Sequence, residues 1–178
     1  ARSRLDPIVR LAGLFEAKTV VCHAGYDRRR YASLQEAWLA RSLAFWSWLG
    51  ERVHETGSRL MLENVYEDGP QDLLRLFQGM EPLNVRFCLD AGHAASFSRT
   101  GLDEWLAVLH PYLGQLHLHD NHGDMDAHLA IGDGLIDFEG FLGQVRAKKT
   151  SAPFVTIEPH REEDLLPSLV HLEKIWPW

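Results

Sequence analysis

Ionisable residues recur at the ends of apolar runs in this chain. His23 closes the run TVVCH, Glu63 closes RLMLE and Asp90 closes VRFCLD; His117 and His119 lie in QLHLH, and Glu158 closes FVTIE. Four or five consecutive apolar residues, many of them β-branched, read as strands covered on both faces. Packing gives such a strand no reason to end in carboxylate or imidazole, and here all five do. In a closed parallel barrel the C-terminal strand ends meet on one face, so these side chains would converge on one pocket. Carboxylates and imidazoles held together repel or lose hydration unless a cation lies between them. A mixed His and Asp/Glu set without thiolate suits Zn²⁺, Mn²⁺ or a related divalent ion.

The densest stretch is Gln115 to Phe138 (QLHLHDNHGDMDAHLAIGDGLIDF). His117 and His119 are two apart and share one side of a strand. Asp126 and His128 are also two apart, in a loop before the turn Gly132-Asp133-Gly134. Six of the ten His fall between His93 and His128. His54, His110, His122, His160 and His171 read as structural or surface residues.

The elements that must position these groups alternate between strand and helix. Strands are expected at 19–23, 59–63, 85–90, 115–119 and 154–158. Six helices accompany them. One lies at 11–17. A second runs from the capping-box pattern Ser33-Leu34-Gln35-Glu36 to residue 56, where Gly57 stops it. A third has Pro70 in its first turn, and a fourth starts at Thr100-Gly101-Leu102-Asp103. The last two span 138–148, capped by Asp137, and 163–175. Leu34, Trp38, Phe45, Leu49 and Val53 form an apolar stripe at helical spacing, and the six Trp read as packing residues. The pattern is α/β with a mostly parallel sheet. It contains no Gly-rich phosphate loop of the Rossmann or Walker kind.

Composition narrows the class further. The chain has 178 residues, 46% hydrophobic and 24% charged, as an ordinary globular domain has. No run approaches the roughly 18 apolar residues of a membrane span. Two cysteines in apolar runs, Cys22 and Cys88, point to a reducing, cytoplasmic setting. A net charge of −7 weighs against duplex DNA as a partner. The basic triplet Arg28-Arg29-Arg30 reads as a solvated loop, with Arg28 the candidate grip for a substrate phosphate.

Taken in order, VVCHAG, LENV, LDAGH, HLHDN, DAHLAIGDG and TIEP resemble the xylose-isomerase-like TIM barrels. That superfamily comprises sugar and sugar-phosphate isomerases and epimerases, and the endonuclease IV-like abasic-site nucleases (AP endonuclease family 2). The resemblance runs from about Leu11 to the C-terminus. It implies a (β/α)8 barrel of which residues 1–178 form a single domain, the last five strand–helix units. Eight units take roughly 250 residues, so about 70 to 90 residues with three more strands are expected upstream of Ala1.

The resemblance also assigns roles. In the epimerase branch one divalent ion is held by Glu63, Asp90, His117 and Glu158. Glu63 and Glu158 then act as acid and base on opposite faces of a sugar, through an enediolate, with His93 at the hydroxyl next to the carbonyl. In the nuclease branch His23, His93, Asp126 and His128 join the ligands, and up to three zinc ions are bound. Three divalent ions would take the formal charge from −7 to −1. His119, Asp120 and Arg28 are the expected substrate contacts. The expected function is thus a metal-dependent isomerase or epimerase of a sugar, sugar phosphate or related polyol. The alternatives are a multi-zinc phosphodiesterase and a barrel that keeps its ligands as a regulatory module. The partner is a small sugar or phosphoester, and a homo-oligomer is allowed for.

Overall fold

Five parallel strands and eight α-helices alternate along the chain in a computed structural model that describes residues 2–80, 85–148 and 151–178. The strands are β1 Thr19–His23, β2 Arg59–Glu63, β3 Val85–Asp90, β4 Leu113–Leu118 and β5 Phe154–Ile157. They form one sheet in the order β1-β2-β3-β4-β5, every neighbouring pair parallel. This is the strand sequence of a TIM barrel, in which each strand hands the chain to a helix that returns it to the next strand.

The helices are α1 Arg2–Leu14, α2 Arg28–Tyr31, α3 Gln35–His54, α4 Gln71–Gly79, α5 Ala91–Phe97, α6 Leu102–Leu109, α7 Phe138–Lys148 and α8 Leu165–Ile175. The core lies between the helices and the three central strands. Leu60, Leu62, Phe87, Leu89, Leu116 and Leu118 are all buried, against Leu73, Leu76, Phe77, Trp105, Leu106 and Leu142 from the helices. Each large apolar side chain fully buried here contributes about 2 kcal/mol. Strands β1 and β5 are the sheet's edges and are only part-buried.

Several local expectations change. Helix α1 spans Arg2–Leu14 rather than 11–17, with Glu16 at φ 52 marking the turn that follows. Ser33 does not cap α3; it lies in a 3-10 turn over Ala32–Leu34 that runs into the helix. Pro70 is the N-cap of α4 rather than a member of its first turn. The basic triplet forms α2 instead of a loop, because the Asp27 carboxylate accepts from the Arg29 amide and caps it. Strand β4 ends at Leu118 and β5 at Ile157, so His119 and Glu158 stand just beyond the strands.

Helix α5 is not legible in the sequence. Its residues AGHAASF have no apolar stripe, and its start depends on the Asp90 side chain accepting the His93 amide at 2.6 Å. Asp137 takes the Gly140 amide at 2.9 Å, the capping contact expected before α7.

Candidate metal centre

Parallel register brings the strand-end residues side by side. His23 is opposite Glu63 in the β1–β2 pairing, and Asp90 is opposite His117 in the β3–β4 pairing. Their side chains close on one another. His117 Nδ1 lies 3.3 Å from Glu63 Oε1, 3.0 Å from Glu158 Oε1 and 3.9 Å from Asp90 Oδ2. One ligand atom from each of these four residues falls within 4.8 Å of the others. Ligands 2.1 Å from a tetrahedral ion stand about 3.4 Å apart, so the spacing fits a divalent cation. The group is also short of partners: Asp90 Oδ2 and His117 Nδ1 are buried and form no hydrogen bond.

A second group stands beside the first. His93, His119, Asp126 and His128 likewise place one ligand atom each within 4.8 Å of one another. His93 Nε2 is 3.3 Å from Asp126 Oδ2, and His128 Nε2 is 3.3 Å from Asp126 Oδ1. Asp126 Oδ1 is buried without a hydrogen bond. His93 stands between the two groups, its Nδ1 3.3 Å from Glu63 Oε1 and 3.5 Å from Asp90 Oδ2.

Neighbouring groups set which nitrogen of each ring is free. His93 Nδ1 is 3.0 Å from the Asn64 carbonyl and His128 Nδ1 is 2.6 Å from the Glu158 carbonyl. Once a cation displaces the second proton, a proton kept on each Nδ1 would donate there and leave both Nε2 lone pairs facing Asp126. At His117 the side-chain amide of Gln115 stands 3.1 Å from Nε2 and 3.1 Å from Thr156 Oγ1, with Gln115 Oε1 buried and unpartnered. With the amide turned over, Oε1 accepts from His117 Nε2–H and from Thr156, and the His117 Nδ1 lone pair faces the carboxylates.

His119 is different from the other three. Its ring is parallel to that of His128, with centroids 3.7 Å apart and planes at 6°. Nitrogen lone pairs lie in the ring plane, so rings stacked face to face in this way would not aim theirs at one point and hold a single ion together. His119 Nε2 instead meets Asp90 Oδ1 at 3.1 Å, and donation there holds Asp90 with Oδ2 toward the first group. The second group is therefore a triad of His93, Asp126 and His128 over a supporting His119.

The charges are mutually compensated. Burial alone would raise the Glu63 carboxyl, but the His117 and His93 imidazoles 3.3 Å from its Oε1 hold it well below the usual carboxylate range. Burial would lower His93, yet Glu63, Asp90 and Asp126 raise it to about 9. His117 is raised as well, burial being outweighed by Glu63, Glu158 and Asp90. Burial pushes Glu158 up, with His117 acting in the opposite sense. Cations seated among these carboxylates would take over the role that the imidazolium charges play.

The remaining expected site residues fall in different places. His23 is solvent-exposed, with Nε2 3.6 Å from Glu63 Oε2, the oxygen turned away from His117. His119 and Asp120, expected at the substrate, are fully buried. The Asp120 carboxylate accepts the amides of Asn121, Gly132, Gly134 and Ile136, at 2.9 to 3.2 Å, and so organises the loop that carries Asp126 and His128. Arg28, the expected phosphate grip, turns its guanidinium to Asp72 at 3.2 Å.

Other residues were not singled out from sequence. Asn64 bonds both the amide and the carbonyl of Asp90, and Asn121 reaches the Gly92 carbonyl at 2.9 Å. Both directly follow a recognised residue, in LEN and HDN, which is the signal that could have found them.

The family model for xylose isomerase-like TIM barrels matches residues 1–176. This chain belongs to that family. The uncharacterized protein MJ1311 of Methanocaldococcus jannaschii is 28% identical over 150 residues, 76% of this chain and 50% of that protein. The crystal structure of a D-tagatose 3-epimerase-like protein is similar with a TM-score of 0.82 at 24% identity, covering 94% of this chain and 65% of that one. The TTHB071 protein from Thermus thermophilus, soaked with ZnCl2, has a TM-score of 0.73 at 26% identity and the same coverage. The chain thus spans half to about two thirds of the length of these proteins. No described helix is long and apolar enough to cross a membrane.

Proposed function

We propose that the chain is part of a metal-dependent isomerase or epimerase of a sugar, sugar phosphate or related polyol. The observation that carries this reading is the pair of carboxylates flanking one imidazole: Glu63 at 3.3 Å and Glu158 at 3.0 Å from His117 Nδ1. Glu63, Asp90, His117 and Glu158 would hold a divalent ion. Such an ion supplies Lewis acidity, which polarises a carbonyl and makes the adjacent C–H bond acidic. Glu158 is part-exposed and opens toward incoming substrate, whereas Glu63 is buried. Glu158 is thus the group placed to take or return a proton at carbon, and Glu63 the one placed opposite it. His93 faces the same space from the neighbouring helix α5. The structural similarity to a D-tagatose 3-epimerase-like protein supports the same reading.

A second reading is favoured by the triad of His93, Asp126 and His128, together with His23 at the far oxygen of Glu63. With these residues holding one or two further ions, the chemistry supplied is activation of water for attack on a phosphodiester. The similarity to a protein soaked with zinc chloride is compatible with either.

Two measurements separate the readings. Deuterium from solvent should appear in a ketose substrate, and metal analysis should find an ion that is lost on substituting Glu63 or Asp90. Cleavage of an abasic-site DNA or a small phosphodiester, without deuterium exchange across a ketose panel, would replace the first reading with the second.

A further inference from the structure

Three imidazoles lie face to face at the triad. His119 and His128 stack with centroids 3.7 Å apart and planes at 6°, and His128 and His160 stack at 3.8 Å and 12°. The inner ring, His119, is fully buried, and the outer ring, His160, is exposed. His128 between them has its backbone at φ 49, in the left-handed region. For a residue with a Cβ that conformation costs about 1 to 2 kcal/mol, so the surrounding structure must hold it there.

We propose that His160 is the positioning residue that holds His128, clamping its ring against His119 so that Nε2 stays aimed at Asp126. The clamp has two parts. The His160 amide donates to the His128 carbonyl at 3.3 Å, fixing the left-handed backbone from the β5 side. The His160 ring covers the outer face of the His128 ring and limits its side chain to 11% exposure. With the Glu158 carbonyl at Nδ1 setting the third direction, no rotation of His128 is left that keeps its contacts. His160 makes none of these contacts with a ligand atom of its own, so it acts through His128. An exposed histidine three residues past a strand end would otherwise be ordinary surface.

The inference rests on the reading that His93, Asp126 and His128 hold a divalent ion, and its test is zinc affinity rather than turnover. Metal-stripped protein is titrated with Zn²⁺ against a chromophoric chelator, and D126N identifies the equivalent that belongs to the triad. His160→Ala should weaken that equivalent by about 10-fold and leave the other unchanged. His160→Phe, which keeps a flat ring but no nitrogen, should restore most of the loss. Unchanged affinity of the triad equivalent in His160→Ala would overturn the clamp while leaving the metal reading intact. Failure of His160→Phe to restore it would overturn the stacking role. Wild-type protein with no equivalent sensitive to D126N would overturn the metal reading of the triad and the clamp with it. The exposed position of residue 160 lets both variants fold, which circular dichroism and the melting temperature verify.

Discussion

The Nδ1 nitrogen of His128 lies 2.6 Å from the backbone carbonyl of Glu158. Glu158 therefore serves both ligand groups by different atoms: its carboxylate faces His117 and its carbonyl orients His128. A side-chain substitution separates the two. Glu158→Gln should lower turnover by about 10³-fold and loosen the ion at Glu63, Asp90 and His117. The ion at His93, Asp126 and His128 should remain, because the carbonyl is untouched. Zinc stoichiometry of the variant checks this; loss of every bound equivalent would show that the two groups form one inseparable cluster.

Gly92 is where the backbone approaches the stack most closely. A Cβ built there would overlap the ring of His119, which is fully buried and pressed against His128, and so has nowhere to move. Gly92→Ala should destabilise the fold by about 1 to 3 kcal/mol through overpacking. Urea unfolding measures it, and a variant as stable as the wild type would show that the His119 ring can shift.

Asp120 supplies acceptors to four amides of its loop, two at each oxygen. In Asp120→Asn one side becomes an NH2 group facing two N–H donors. The cost is about 2 kcal/mol for the hydrogen bonds to a charged acceptor. The expected signature is faster proteolysis within 121–136 and weaker binding at the triad. A raised KM with unchanged proteolysis would instead assign Asp120 to substrate.

Glu67 is buried and accepts the Val65 amide at 2.7 Å and the Tyr26 amide at 3.3 Å, joining the loops after β2 and β1. Burial pushes its carboxyl from 4.5 to about 7, the amides offsetting only part of the effect. The folded state therefore binds this proton more tightly than the unfolded chain does. Its contribution to stability is fully present below pH 4.5 and is lost as pH rises through about 7, in all about 3 kcal/mol. Glu67→Gln has no such proton to lose. The melting temperature of the variant should gain on the wild type between about pH 5 and 8, and a gap independent of pH would show that Glu67 ionises without penalty.

The barrel architecture was readable because period and composition are local properties. RLMLE, VRFCLD and FVTIE are short apolar runs, and each lies within a residue of an observed strand. The candidate ligands at their ends were legible as candidates because a carboxylate ending a buried strand has no packing explanation. Helix α5 was not, since it is started by Asp90, a residue that also reads as a metal ligand. His160 was not, since nothing in TIEPH distinguishes a surface histidine from one stacked on a loop about 100 Å of extended chain away.

Sequence by itself determined which residue types end the strands, the α/β pattern and the set of residues able to bind a cation. Those follow from covalent order and from the preference of apolar runs for burial. The resemblance already grouped Glu63, Asp90, His117 and Glu158; only the tertiary structure gathered His93, Asp126 and His128 into a second group and left His23 exposed outside it. It also buried His119 and Asp120, the expected substrate contacts, and paired them with Asp90 and with loop amides. The reason is that ring orientation and hydrogen-bond partner depend on atoms brought together from distant segments: Asn64 at His93, Gln115 and Thr156 at His117, and the Glu158 carbonyl at His128.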